Sequence, residues 1–153
     1  MNFVKLFSLL LVTVFACAED FSVQQSIVFS VPPCNQVGNI GGPSPVFSDL
    51  RGLGASRCSN TYDVFTNGEN KKIIGFLDAN MPKHTCLEVY LAPPSGARTM
   101  GPKMLSTVPV DLVIEISRVS ETGLALIYNF ETSPGVGVIE SDTRVVTFTM
   151  TDG

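Results

Sequence analysis

Histidine occurs once in this chain, at His84, and no Gly-x-Ser-x-Gly elbow accompanies it. The parts of a histidine-assisted serine nucleophile on that pattern are therefore missing. Phosphate-cradling loops are missing too, because Gly41-Gly42, Gly52 and Gly54 lack the flanking strand and lysine such a loop requires. Glu140, Asp142 and Asp152 do not follow the spacing of a helix–loop–helix calcium site. Basic residues are scarce, with 10 Lys and Arg against 14 Asp and Glu and a net charge of −4. That balance leaves no basic footprint for nucleic acid. No stretch sustains a 3.6-residue apolar stripe, so no long amphipathic helix is expected. There is no internal repeat, no low-complexity tract and no sign of a second domain.

What is present begins with a leader. Lys5 gives a short positive region, residues 6–15 form an apolar core, and Ala16-Cys17-Ala18 is a small-x-small cleavage site. Residues 1–18 read as a secretory signal peptide. The alternative, a lipoprotein box ending at Cys17, fits poorly because Phe15 is bulky. The apolar run is too short to span a bilayer comfortably, and no membrane span is expected in the mature chain. Residues 19–153 then make one domain carrying a formal charge of −5, since Lys5 is the leader's one charged side chain. The expected location is secreted, periplasmic or at the cell surface.

Short β-rich runs recur through that domain. They are residues 21–31, 62–66, 72–77, 86–91, 110–116, 124–130 and 143–150, with weaker candidates at 46–47 and 104–105. Runs at such spacing, with Gly, Pro, Asn and Asp between them, mark a sandwich or barrel. The fold class is therefore all-β, a β-sandwich of about seven to nine strands. Asn67-Gly68 between residues 62–66 and 71–77 reads as a hairpin turn, because Asn-Gly accepts positive φ at little cost. Residues 36–55 read as an irregular surface crossing, and residues 117–122 as a single helical turn.

Three cysteines remain after cleavage, Cys34, Cys58 and Cys86. In an oxidising compartment two should pair, and Cys34–Cys58 is the preferred choice among three, with Cys86 a buried free thiol. Met81, His84 and Cys86 offer soft ligands within six residues, but a loop entering a strand explains them better than copper. No spacing among the carboxylates singles out an acid–base pair. No enzymatic activity, cofactor or metal is expected.

The first run stands out. Phe21, Val23, Ile27, Phe29 and Val31 share one face with Gln25, while Ser22, Gln24, Ser26, Val28 and Ser30 share the other. Successive side chains of a strand point to opposite faces, so one row is apolar and one mostly polar. Pro32-Pro33 ends the run, because proline cannot continue the ladder. Residues 19–31 are either the first strand of their own sandwich or a donor strand for a neighbouring copy.

Several pieces resemble the chaperone–usher major pilins, in particular the alpha-type fimbriae of enteric bacteria. Residues 26–32 (Ser-Ile-Val-Phe-Ser-Val-Pro) look like the alternating extension of those subunits. Thr66-Asn67-Gly68-Glu69-Asn70-Lys71-Lys72-Ile73-Ile74 resembles their Thr-Asn-x-x-x-Lys-Lys hairpin. Leu105-Ser106-Thr107 and residues 145–151 resemble their mid-chain and closing runs. The resemblance implies an immunoglobulin-like sandwich lacking one strand, which the next subunit's N-terminal extension supplies by β-augmentation. Phe21, Val23, Ile27, Phe29 and Val31 would be the partner-binding side chains, and the partners other copies or related subunits. The competing expectation is a monomeric immunoglobulin-like module that binds a ligand through loops 36–55 and 92–103, where Phe47 is the sole aromatic.

Overall fold

The structure, a computed structural model, describes residues 26–47, 54–139 and 141–153. The chain divides into two units, residues 1–31 and residues 32–153. In the first unit, residues 26–31 form no strand, and Ile27, Val28, Phe29 and Val31 are all exposed. Phe21, Val23 and the leader at 1–18 lie outside the described residues.

The second unit is all-β, with no helix among the described residues. Nine strands follow in order: β1 (Asn35–Gly41), β2 (Gly54–Thr66), β3 (Lys71–Leu77), β4 (Thr85–Leu91), β5 (Arg98–Thr99), β6 (Lys103–Met104), β7 (Val110–Ile116), β8 (Val119–Thr132) and β9 (Val146–Asp152). They form two antiparallel sheets, one ordered β1-β2-β8-β4-β6 and the other β5-β7-β3-β9. Period-two alternation accounts for the shared core. Tyr62 and Val64 of β2, Leu87, Val89 and Leu91 of β4, and Leu126 and Tyr128 of β8 point inward from the first sheet. Ile73 and Leu77 of β3 and Leu112, Val113 and Ile116 of β7 meet them from the second. Val146, Phe148 and Met150 of β9 pack against that core from the edge, half-buried on the face their alternation predicts.

Several expectations need correction. Residues 62–66 and 71–77 are indeed strands, but they belong to different sheets, so Asn67-Gly68 turns a corner between layers rather than closing a hairpin. The left-handed residue of that corner is Asn70, at φ 48°. Residues 117–122 are not helical, because Val119 already pairs with Thr66 at the start of β8. The first six residues of the supposed surface crossing, 36–41, belong to β1, whose composition (Asn-Gln-Val-Gly-Asn-Ile-Gly) has no alternation to reveal it. Its place comes from pairing with β2, Asn35 opposite Thr66 and Val37 opposite Val64.

The preferred Cys34–Cys58 bridge is not formed, and all three cysteines are free. Cys34 faces Asn67, just beyond the end of β2, through a backbone hydrogen bond of 3.2 Å. Cys58 sits opposite Tyr128, nine positions back along the chain from Asn67. At strand rise that is on the order of 30 Å, against a Cα separation limit of roughly 7 Å for a disulfide. Cys86 pairs with Glu131 on the far side of β8 from Cys58 and cannot reach it either.

Candidate functional site

The two flanks of the sandwich are built differently. On one flank the edge strands are β5 and β6, two residues each, joined directly by residues 100–102. The chain itself crosses between the sheets there, and Arg98 and Lys103 place charge on both short edges. Short, charged edges are how natural sheets avoid pairing with foreign strands. On the other flank the edges are β1 and β9, seven residues each. Among the described residues each is hydrogen-bonded along one side only, β1 to β2 and β9 to β3.

Between those two long edges lies a groove of about 250 Å³. Val37, Gly38 and Ile40 of β1 line one wall, and Val146, Thr147 and Phe148 of β9 line the other. Tyr62, Leu91 and Leu126 lie beneath. Among the described residues the lining holds no ionisable carboxylate or amine. Its one phenol is neutral, because burial, followed by Glu121 and Tyr90, pushes the Tyr62 pKa far above its ordinary value. The Tyr62 hydroxyl donates to the Ala92 carbonyl oxygen at 2.6 Å, which satisfies the polar atom. An uncharged trough lined mainly by apolar side chains favours apolar partners over a charged ligand.

Both walls are held in place. The β9 edge is straight, pairing residue for residue with β3 from Leu77–Val146 to Lys71–Asp152. Asp78 fastens its start, with the Val145 amide donating to Asp78 Oδ1 at 2.9 Å. At its end Lys71 pairs with Asp152, and the Gly153 amide donates to the Asn70 carbonyl at 2.8 Å. The Lys71 ammonium holds the Asp152 carboxyl below its usual pKa. The β1 wall instead carries a bulge between Gly38 and Gly41, with Asn39 at φ 49°. Asp63 secures it, accepting from Asn39 Nδ2 at 2.8 Å and from the Gly123 amide at 2.8 Å. Bulges bend an edge and re-aim its side chains, and here Gly38 and Ile40, either side of Asn39, both line the groove. A Cβ at Gly38 would meet nothing closer than Gln36 Nε2 at 3.9 Å, so the position can take a side chain without a clash.

Other candidates in the sequence are placed elsewhere. His84 is exposed at φ 67°, and Cys86 lies two residues on in β4, beside a smaller hollow of about 160 Å³ shared with Glu131 and Ser133. Burial, then Glu131 and Glu88, pushes the Cys86 thiol pKa up, away from the thiolate that chemistry or metal binding would use. Phe47 is not displayed for a ligand. It stacks on Phe130 at 5.3 Å and packs against the core. Of the expected partner-binding side chains, Ile27, Phe29 and Val31 are exposed, at 78%, 83% and 75%. Six of the lining residues come from the two edges; those of β9 fall in an expected strand, whereas those of β1 were missed in the sequence because only pairing with β2 defines that strand. Comparison with family models, with curated proteins and with solved structures found no match.

Proposed function

We propose that this chain is a secreted or surface structural subunit that assembles by strand exchange. In this reading the sandwich is immunoglobulin-like with one strand missing, and the groove between β1 and β9 receives residues 21–31 of a second copy. The observation that carries it is the contrast between the flanks: one closed by short charged edges, the other left with two seven-residue edges and an apolar trough.

Supply and demand match in chemistry. An incoming strand brings main-chain donors and acceptors for an unpaired edge, and alternate side chains for the trough. Ile27, Phe29 and Val31 recur with that period and are exposed. Large apolar side chains clustered in water mark an interaction surface. A cavity of roughly 150 Å³ accommodates a benzene ring, so a groove of about 250 Å³ has room for one phenyl group and part of a neighbour. Burying one phenyl group and part of a neighbour there contributes roughly 2–4 kcal/mol gross, before ordering costs are subtracted, and main-chain pairing with the open edge would supply the rest. A ligand-binding loop module is less well supported, since Phe47 is committed to the core.

Size-exclusion chromatography of the mature chain, with and without residues 19–31, tests the reading. Assembly should vanish on deletion while the sandwich stays folded. Equal assembly by both forms would refute it.

A further inference from the structure

Asn67 does more than turn the chain. Its carboxamide grips the backbone on both sides of Pro33. The Cys34 amide donates to Asn67 Oδ1 at 2.8 Å, and Asn67 Nδ2 donates to the Pro32 carbonyl oxygen at 2.8 Å. The Asn67 amide in turn donates to the Cys34 carbonyl at 3.2 Å. Strand β2 ends at Thr66. The side-chain amide thus stands in for the peptide group a longer β2 would have offered. It carries the β1–β2 ladder out to Pro32, past a proline that has no amide proton to give.

This clamp bears on which groove the N-terminal segment fills. Strand β1 runs from Asn35, opposite Thr66, to Gly41, opposite Thr61, and its free edge borders the groove. A tight reversal at residues 32–34 would send the segment back along that edge into the groove of its own chain. Residues 21–31, extended, would reach roughly 35 Å, enough to cover the whole of β1. Tethered so closely, the segment would act at an effective concentration in the millimolar range and outcompete any second copy, unless geometry forbids it. That reversal requires Pro32 and Cys34 to give up their hydrogen bonds to the Asn67 carboxamide, which holds the chain on both sides of a residue whose φ is already fixed.

We propose that Asn67 is a positioning residue that bars self-filling and reserves the groove for the segment of another copy. The inference rests on the strand-exchange reading. The test compares the mature chain, wild type and Asn67→Ala, by light scattering across a range of concentrations, with uptake of a labelled peptide of residues 19–31 as a second readout. Loss of two hydrogen bonds should raise the monomer fraction roughly tenfold. Those monomers should persist on concentration and take up no peptide, because their grooves are occupied. Wild-type assembly by Asn67→Ala, or monomers that bind the peptide, would overturn the clamp. If Asn67→Ala does not fold, Pro33→Gly frees the same reversal: closed monomers support the inference and wild-type assembly refutes it. A wild-type chain that neither assembles nor loses assembly on deletion of 19–31 removes the strand-exchange reading itself.

Discussion

The flank closed by β5 and β6 and the flank opened between β1 and β9 face the same physical problem, since every sheet must end in unpaired backbone groups. The first solves it within the chain, with two-residue strands, a direct crossover and two cations. The second keeps two full-length edges and invests in holding them still, through Asp78 and Lys71 at the ends of β9 and Asp63 at the bulge of β1. An edge left open by neglect would fray. This one is braced at the ends of β9 and at the bulge of β1.

The contrast breaks first if the supplied side chains do not matter. Phe29→Ala removes the largest apolar side chain in the described part of the segment, and truncating a buried phenyl costs about 3–5 kcal/mol. Association should weaken by roughly two to three and a half orders of magnitude, measured by sedimentation, with an unchanged melting temperature for the sandwich. The accepting side is next. Gly38→Val adds a branched side chain to the groove wall where its own chain offers no contact closer than 3.9 Å. The fold should tolerate it, while overfilling costs assembly about 1–3 kcal/mol, or roughly tenfold in affinity. A lowered melting temperature with intact assembly would show that Gly38 serves the fold and not the groove.

Solution pH separates the core from its braces. Burial raises the Tyr62 pKa, and burial followed by Cys58 raises that of Tyr128 to about 12. Groups with raised values stabilise the fold fully below the ordinary tyrosine range, and that stability fades as pH climbs through it. Thermal melts should therefore fall steeply above about pH 10. Asp152 and Asp142 behave oppositely. A hydrogen bond from Lys71 lowers the first and one from Arg144 lowers the second. Their contribution is present above the ordinary carboxylate range and fades as pH falls below it. Both carboxylates are exposed, so the acid effect on the melt should be the smallest of all.

Much of the interior was legible in advance. The alternation in residues 72–77 and 86–91 and in 146, 148 and 150 located β3, β4 and β9 and their inward faces, because burial on one face leaves a period of two. The edge was not legible. β1 has two glycines and two asparagines and buries little, so its sequence carries no pattern, and pairing with β2 alone makes it a strand. Asn67-Gly68 was misleading for a related reason: local turn propensity cannot distinguish a hairpin from a corner between sheets. The side chain's work on Pro32 and Cys34 depends on a contact across more than thirty residues. The cysteine pairing failed similarly, since strand register sets the distance between Cys34 and Cys58.

Amide exchange along β9 addresses the open edge most directly. The chain lacking residues 19–31 would be compared with and without a peptide of those residues. The account predicts that the outward-facing amides of Val146–Asp152, which make no bond to β3, become protected when the peptide is added. Exchange at β9 that the peptide leaves unchanged, or protection appearing at β5 and β6 instead, would contradict it.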